Sequence, residues 1–386
     1  MPLNRNLNED QILLRETIRK FAEDEIRELS KELDEKEEFS YELTAKMAEL
    51  GLLGAIIPEQ YGGSELDYVS YIIAVEEISR VDGSQGATIA AHNSLGTGPL
   101  TQFGNEEQKN KYLPKLAEGN LWGFGLTEPE AGSDAGNSLT TAVQDGDYWV
   151  LNGSKIFITN SATDITIGST ILASTGVDEN GRKELTCFIV ENGVKGYTAR
   201  PMHGKMMWRG SNTGELILED VRVHKSTMLG KRGDGFKQMM KTLDKGRLSI
   251  AAMGLGLAQG ALDYALKYTK ERKTFGKPIS TYQANAFKMA DIEVGLELSR
   301  NYLYDVCRMV EEGKKITKEG AIAKLHCSEL AHKAADHCVQ LLGGYGLMKE
   351  YEAEKYYRDQ KLLEIGEGTS EIQRIVISRE IGCYDV

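Results

Sequence analysis

The sequence predicts a multidomain α and β protein in which the domains follow the order helical, β, helical. Three observations predict this order: apolar residues recur at helical spacing through the first third, β-branched runs begin at about Trp122, and helical periodicity returns from about Gly233. A chain of 386 residues is long enough for several domains with a large buried core. The expected domain boundaries are 1–121, 122–232 and 233–386.

The N-terminal third has the pattern of several amphipathic helices. Asn8 is placed to cap the first of them, and Asn105 opens the last, which is expected to end near Gly119. Between these two helices, helical patterns cover 43–53 and 68–81.

The middle third contains short runs with strand character at 148–151, 155–159, 165–172, 186–190 and 214–219. Asp-Gly, Asn-Gly and Glu-Asn-Gly sequences separate them, and these are typical turn signals. Short strands at regular spacing predict a compact β domain or a barrel. Among the helices that follow, a long one is expected to begin at Leu243.

Composition and charge exclude several classes of function. The hydrophobic fraction of 41% and the charged fraction of 27% are ordinary for a globular protein. A net charge of −12 argues against nucleic-acid or anionic-membrane partners. The five cysteines form no Cys-x-x-Cys, and the chain has no apolar signal core and no membrane-length span. We therefore expect a soluble intracellular protein, located in a bacterial-type cytoplasm or in an organelle matrix after processing.

Sequence motifs for common nucleotide and metal sites are missing. The glycine-rich run at 254–260 lies inside a predicted amphipathic helix and follows no strand, so we interpret its glycines as points of close helix packing. His332 and His337 lie on one helix but suit surface or packing roles. The sequence predicts no metal site.

Glu367 lies between Gly366 and Gly368, directly before a predicted helix. Ser370 and Gln373 have the spacing of a capping box for that helix. A carboxylate on such a loop suits a general base, because burial raises its pKa towards neutrality. The alternative is a solvated glutamate in an ordinary helix-entry turn.

Residues 367–374, Glu-Gly-Thr-Ser-Glu-Ile-Gln-Arg, resemble the catalytic-base motif of the acyl-CoA dehydrogenases. Segments at 124–134, 155–160, 272–283 and 340–346 resemble other motifs of that family, in the same order along nearly the whole chain. The resemblance implies an N-terminal helical domain, a central β-barrel domain and a C-terminal four-helix-bundle domain. It also implies a homotetramer, a dimer of dimers, in which the subunits share FAD.

The same resemblance assigns roles to individual residues. Phe157 stands where most of the family has Trp, so it is expected to shield the flavin without an indole N–H. The implied substrate contacts are Ser133, Asp244, Arg247, Gly366 and Gly368. The implied cofactor contacts are Phe124, Leu126, Thr127, Gly132, Ser133, Phe157, Ile158, Thr159, Arg272, Phe275, Gln283, Gln340, Leu341, Gly343, Gly344, Thr369 and Glu371. Without the resemblance, 124–134 would be an ordinary Gly/Pro loop, 155–159 a core strand, and Asp244 and Arg247 an ion pair at a helix start.

The implied reaction is the α,β-dehydrogenation of an acyl-CoA. Glu367 would remove the α-proton, a β-hydride would move to flavin N5, and electrons would pass to an electron-transfer flavoprotein. In the isovaleryl branch of the family the base lies at the position of Gly246, which cannot serve here, so Glu367 is the only matching base.

The resemblance says less about the acyl group of the substrate than about the reaction. The strongest likeness is to short-chain, butyryl-type enzymes, in which the residue before the base is usually Tyr rather than Gly366. Loss of that ring predicts a wider pocket for a branched or alicyclic group such as cyclohexanecarbonyl-CoA, unless the 206–208 Met-Met-Trp run refills the space. Other interpretations are an enoyl-CoA reductase, an acyl-CoA oxidase or flavin monooxygenase, and a helical interaction protein without cofactor.

Overall fold

The computed structural model describes residues 6–177 and 179–384, and it confirms the order helical, β, helical. The N-terminal helices are α1 (Glu9–Phe21), α2 (Arg27–Lys36), α3 (Tyr41–Glu49), α4 (Tyr68–Val81), α5 (Gly83–Ala91), α6 (Gly98–Phe103) and α7 (Glu106–Ala117). Short π-helical turns at Ala22–Ile26 and His92–Thr97 join α1 to α2 and α5 to α6.

Both predicted N-caps are confirmed. The Asn8 side chain accepts a hydrogen bond from the Gln11 N–H, and the Gln11 side chain accepts one from the Asn8 N–H, which completes a capping box. Asn105 and Gln108 form the same arrangement at the start of α7. The helix predicted over 43–53 is shorter than expected, because α3 ends at Glu49.

The central domain contains the strands β1 (Leu121–Gly125), β2 (Thr141–Asp145), β3 (Tyr148–Thr159), β4 (Thr166–Val177), β5 (Lys183–Glu191), β6 (Tyr197–Pro201), β7 (Thr213–His224) and β8 (Met228–Leu229). They form one sheet in the order β6-β7-β3-β2-β4-β5-β8, and β1 pairs with β4 in parallel. The side chains on its inner face form a core of the central domain.

One turn predicted in this domain is wrong. The segments 148–151 and 155–159 form the single strand β3, and the Asn152-Gly153 sequence between them lies in a bulge where the pairing with β7 shifts. Gly153 has a φ of +146°, and a Cβ there would lie 2.6 Å from Oγ1 of Thr140. Glycine is needed here for a bulge and a close contact, and the chain does not reverse.

The C-terminal helices are α8 (Gly235–Glu271), α9 (Gln283–Glu311), α10 (Thr317–Leu342), α11 (Ala353–Asp359) and α12 (Ser370–Glu380). The short strands β9 (Lys273–Thr274) and β10 (Lys277–Pro278) form a ribbon between α8 and α9. The prediction that the long helix begins at Leu243 is wrong, because α8 begins two turns earlier, at Gly235.

Glycines of α8 allow neighbouring helices to approach closely, as predicted. A Cβ at Gly254 would lie 2.7 Å from the Cys327 carbonyl oxygen on α10, and one at Gly256 would lie 2.3 Å from the Glu76 carbonyl oxygen on α4. The prediction of an amphipathic helix is wrong for this part, because every residue from 246 to 262 is buried. Helix α8 is therefore the shared centre on which the N-terminal and C-terminal helices pack.

Candidate active site

Glu367 lies on a sharp turn between a 3-10 helix at Gln360–Glu364 and α12. Glu367 itself has a φ of +52° and Gly368 one of +92°, whereas Gly366 does not adopt this left-handed conformation. The predicted cap, Ser370, is wrong: Ser370 is the first residue of α12, and Thr369 is the cap, with its hydroxyl accepting from the Ile372 N–H at 3.3 Å. The turn therefore depends on Glu367 and Gly368.

The carboxylate of Glu367 extends to the surface of α8 at Gly246. A Cβ at Gly246 would lie 2.1 Å from Oε2 of Glu367, so any larger residue there would displace the carboxylate. Oε2 is buried and has no hydrogen-bond partner among the described residues. A buried acceptor without a partner is costly in a folded protein, and it marks a place where a ligand is expected.

Burial raises the pKa of Glu367 to about 7, against the opposing charges of Lys324 and Arg247. A carboxylate with this pKa is divided between its protonated and ionised forms near neutral pH. This is the range in which a general base works best.

Two residues hold the turn in place: Lys324, which sequence reasoning missed, and Gln373, which it assigned only to a capping box. Lys324 on α10 donates from Nζ to the Gly368 carbonyl oxygen at 2.7 Å. Gln373 on α12 donates from Nε2 to the same oxygen at 2.9 Å and to the Glu367 carbonyl oxygen at 3.2 Å. Both side chains are fully buried. The only signal in the sequence was a lysine among small and apolar residues on a helix.

Asp244 and Arg247, both predicted substrate contacts, form an ion pair next to this turn. Nη1 of Arg247 lies 2.7 Å from Oδ1 of Asp244, and the Thr317 hydroxyl donates to Oδ2 of Asp244 at 3.0 Å. The pair lies well inside α8 and not at its start. Nε of Arg247 is buried without a partner among the described residues. The structure thus brings Arg247 and Glu367 together around one space.

The predicted cofactor segments at 124–134 and 155–160 lie side by side. The Ile156 N–H donates to the Thr127 carbonyl oxygen at 2.9 Å. A buried ion pair that sequence reasoning missed joins the same segments, with Nζ of Lys155 2.5 Å from Oε1 of Glu128. Glu128 also accepts the Leu139 and Thr140 N–H groups and so fixes the far end of the 124–134 loop. Phe124 and Leu126 are buried here, whereas Gly132 and Ser133 are exposed.

Phe157 is not a core residue. Its side chain is 63% exposed, its φ is +61°, and it lies where the pairing of β3 with β7 shifts. Ile158, also a predicted cofactor contact, has its side chain in the core of the central domain, so only its backbone is available to a ligand. Thr159 is partly exposed at the end of the strand.

A second group of predicted cofactor contacts lines an open cavity of about 650 Å³ between the ends of α8 and α10. These residues are Arg272, Gln340, Leu341, Gly343 and Gly344. The Arg272 guanidinium lies over the Tyr345 ring at 5.7 Å. Phe275, in the turn between β9 and β10, is 97% exposed, and Gln283 is exposed at the first residue of α9.

Thr369 and Glu371, the last predicted cofactor contacts, lie at the start of α12 on the same turn as Glu367. Within 6–177 and 179–384, no group of three or more His, Cys, Asp or Glu side chains is arranged to hold a metal ion. In the same part of the chain, no helix combines the length and the apolar character needed to cross a membrane.

Three family models match the chain in sequence order. The acyl-CoA dehydrogenase N-terminal domain matches residues 8–120, the middle domain matches 123–221 and the C-terminal domain matches 233–382.

Curated relatives match over almost the full chain. A probable acyl-CoA dehydrogenase of Bacillus subtilis (strain 168) is 47% identical, covering 98% of this chain and 100% of the relative. A short-chain-specific acyl-CoA dehydrogenase of Clostridium acetobutylicum is 45% identical, and the match covers 97% of this chain and 99% of the relative. The CarC subunit of the caffeyl-CoA reductase-Etf complex of Acetobacterium woodii is 43% identical, and the match covers 96% of this chain and 98% of the relative.

Solved structures also match over almost the full chain. Butyryl-CoA dehydrogenase from Megasphaera elsdenii has a TM-score of 0.94 at 40% identity, covering 98% of this chain and 100% of the other. A glutaryl-CoA dehydrogenase from Mycobacterium smegmatis in complex with FADH2 has a TM-score of 0.93 at 30% identity, and the match covers 99% of this chain and 97% of the other.

Proposed function

This chain belongs to the acyl-CoA dehydrogenase family, and from that membership we propose that it catalyses the FAD-dependent α,β-dehydrogenation of a short-chain, branched or alicyclic acyl-CoA. The observation that carries the proposal is the Glu367 carboxylate, whose Oε2 is buried with no hydrogen-bond partner in the described part of the chain and whose pKa is raised by burial to about 7. A buried carboxylate in this state is poised to accept a proton from a weakly acidic carbon.

The residues present fit FAD. Phe157 and Phe275 hold exposed rings on left-handed backbone, an arrangement that suits aromatic contact with a flat ligand. Arg272 beside Gly343 and Gly344 suits a pyrophosphate, because guanidinium pairs well with phosphate and glycines let a ligand approach the backbone. When bound, FAD would supply the acceptor for the hydride that leaves the β-carbon.

The chain's own residues prepare the α-carbon for deprotonation. Glu367 takes the α-proton onto its carboxylate, and its backbone N–H is expected to donate to the thioester carbonyl, where negative charge develops. Arg247 and Asp244 border the same space and orient the thioester. Gln373 holds the turn rigid, which keeps the carboxylate aimed at one position.

Replacement of Glu367 tests the proposal. In an anaerobic visible spectrum, we expect acyl-CoA to bleach the flavin of the wild-type protein and not that of Glu367→Gln, because the amide cannot accept the α-proton. FAD should remain bound in the variant. Flavin reduction in Glu367→Gln at near the wild-type rate would refute the role of Glu367 as base.

The acyl pocket is proposed to be wide beside the base. A Cβ at Gly366 would meet no atom closer than 3.5 Å, and the three nearest atoms all belong to Leu362. Trp208 lies elsewhere, since its backbone N–H donates to the Asp359 carboxylate and its indole ring lies against Gly83. Titration with butyryl-CoA and then cyclohexanecarbonyl-CoA measures the width. A butyryl-CoA turnover far above that of any cyclic thioester would exclude the wide pocket.

The assembly and the electron acceptor are part of the proposal. We propose a homotetramer that shares FAD between subunits and passes electrons to an electron-transfer flavoprotein. The open cavity at Arg272 and the isolated ring of Phe275 support a contact completed by a second copy. The name of the CarC relative, a subunit of a reductase-Etf complex, supports the acceptor.

A second candidate is the reverse reaction, the reduction of an enoyl-CoA. It is favoured by the names of two relatives, the caffeyl-CoA reductase subunit and a 3-(aryl)acrylate reductase of Clostridium sporogenes that is 41% identical. The absence of a side chain at Gly366, which supports an alicyclic group, supports an aryl group equally. Comparing turnover in the two directions with the same acyl skeleton distinguishes the dehydrogenase from the enoyl-CoA reductase. Rapid reoxidation of the reduced flavin by air would instead indicate an oxidase.

A further inference from the structure

One face of α10 supports the segment that ends in the catalytic turn. Lys324, Ser328 and His332 are spaced four residues apart, so they lie on the same side of the helix. Lys324 donates to the Gly368 carbonyl oxygen at 2.7 Å, and Ser328 donates to the Leu363 carbonyl oxygen at 2.9 Å. Nδ1 of His332 lies 2.8 Å from a carboxylate oxygen of Glu364. The three contacts hold 363–368 along one helix face.

Lys324 differs from the other two because it brings a charge into the interior. Its side chain is fully buried, and it forms no ion pair among the described residues. Its hydrogen-bond acceptor is the neutral carbonyl of Gly368, the residue directly after Glu367. Arg247, the other cation facing the carboxylate, is already paired with Asp244. Lys324 is therefore a buried cation whose charge is available to Glu367.

We propose that Lys324 is a positioning residue for the base: its hydrogen bond to the Gly368 carbonyl fixes the turn, and its charge favours the ionised form of Glu367. The inference rests on the proposed function, in which Glu367 removes the α-proton. It assigns to α10 a part in the reaction beyond its structural role in the bundle.

The charged and titratable groups around this pair come from five elements. They are Arg247 on α8, Lys324 on α10, Tyr68 and Tyr71 on α4, Glu364 in the 3-10 helix and Glu371 on α12. Burial raises the pKa of Glu367. The positive charges of Lys324 and Arg247 lower that pKa again, and the charge of Lys324 has the larger effect. Burial lowers the pKa of Lys324 to about 8, so its ammonium is present while Glu367 titrates near 7. Removing the charge should move the Glu367 pKa upwards.

The test uses two neutral variants of the FAD-containing protein, Lys324→Met and Lys324→Gln. Gln keeps a donor for the Gly368 carbonyl without the charge, so it separates the two roles. The matched control is Lys333→Met, which removes an exposed lysine from the same helix. An infrared titration follows the carbonyl band of protonated Glu367, identified as the band that Glu367→Gln lacks.

We expect the infrared midpoint to rise by about one pH unit or more in both neutral variants, because a nearby opposite charge lowers a carboxyl pKa by roughly that amount. Lys333→Met should leave it unchanged. Anaerobic flavin reduction at pH 6.5 should slow about tenfold in Lys324→Gln and at least as much in Lys324→Met. At high pH the rate of Lys324→Gln should approach that of the wild type, whereas Lys324→Met, which also lacks the hydrogen bond to the Gly368 carbonyl, should remain slower. A purely structural role for Lys324 would slow the reaction equally at every pH.

An unchanged midpoint in Lys324→Gln would overturn the electrostatic role, even if Lys324→Met does not fold. A shift in Lys324→Met that Lys324→Gln restores would overturn it as well, because the hydrogen bond alone would then explain the effect. If acyl-CoA does not bleach the wild-type flavin, the proposed function fails, and the infrared titration still decides whether Lys324 controls Glu367.

Discussion

Phe157, Phe275 and Glu367 have φ angles of +61°, +49° and +52°, although none of them is a glycine. The left-handed region costs an L-residue roughly 1–2 kcal/mol, and bulky side chains are rare there. Phe157 and Phe275 also leave their rings 63% and 97% exposed. Neither packing nor solvation explains strained backbone that turns an apolar ring outwards. The proposed contact with a ligand would explain why both rings are exposed. All three positions were assigned to the site from sequence.

At the scale of residues, the sequence indicated the proposed base and some of its neighbours, such as Arg247, but not Lys324. Glu367 was recognisable because it lies in a characteristic string of residues, whereas Lys324 donates to the carbonyl oxygen of the next residue, Gly368, from 44 positions away in the chain. Gly246 was noted only as a residue unable to act as base. Its second property, the space it leaves for the Glu367 carboxylate, depends on the packing of α8 against the turn.

Gly246→Ala is predicted to damage catalysis without removing the cofactor. The new Cβ would lie 2.1 Å from Oε2 of Glu367, which forces the carboxylate to move. A displacement of about 1 Å costs on the order of a hundredfold in rate. We therefore expect anaerobic flavin reduction to slow by about that factor, with the FAD content of the purified protein unchanged.

Gly98→Ala is the matched control for that substitution. A Cβ there would meet no atom closer than 3.6 Å, and the residue is also helical. Its flavin reduction rate should stay near that of the wild type. A Gly246→Ala protein as fast as Gly98→Ala would show that the carboxylate does not need this space.

At the scale of elements, burial alone did not decide which helices were predictable, because α4 was predicted although all its residues are buried. Helix α4 spans Tyr68–Val81, as the sequence predicted, and its capping Asp67 precedes it. Helices α5 and α6 were missed because they are short, at nine and six residues, and α5 is rich in Gly, Ala and Ser rather than in large apolar side chains at helical spacing. The start of α8 was predicted too late in the chain, because the residues of its first turns give few sequence signals of a helix start. The bulge in β3 was mistaken for a turn because Asn-Gly serves both structures.

The Lys155–Glu128 pair is predicted to hold together the two segments assigned to the flavin. Glu128→Gln would leave the Lys155 ammonium buried without its counter-charge, and breaking a buried pair in this way costs about 3–5 kcal/mol. We expect a lower free energy of unfolding in urea and a faster loss of FAD on dialysis.

The stabilisation from Glu128 should depend on pH. Burial would raise the pKa of Glu128, but the Lys155 ammonium and several hydrogen bonds hold it at about 2, below its usual value of 4.5. The contribution of ionised Glu128 to the free energy of unfolding is therefore complete above pH 4.5, and it is lost as the pH falls towards 2. Asp145→Asn, which breaks the exposed pair with Arg222, is the control and should cost less than about 1 kcal/mol. Equal losses in the two variants would contradict the role of the buried pair.

At the scale of the whole molecule, one surface suggests that a single chain is incomplete. Along α9, apolar side chains at Phe287, Val294, Leu298 and Tyr302 are 58%, 60%, 67% and 36% exposed. Their spacing of seven, four and four residues places them on one face of the helix. Contiguous apolar stripes of this kind mark contact surfaces in other proteins. The stripe accords with the proposed homotetramer, in which the cavity at Arg272 would receive the FAD of a neighbouring subunit.

Leu298→Glu is predicted to weaken that assembly. A charge in the middle of the stripe would be buried without a partner on association, and this costs several kcal/mol. Light scattering after gel filtration should show a shift from tetramer towards smaller species, together with loss of FAD. Leu13→Glu makes the same change at a residue of α1 that is 63% exposed, and it should leave both mass and FAD content unchanged. If Leu298→Glu remains a fully loaded tetramer, the subunits meet through another surface and the α9 stripe has a different partner.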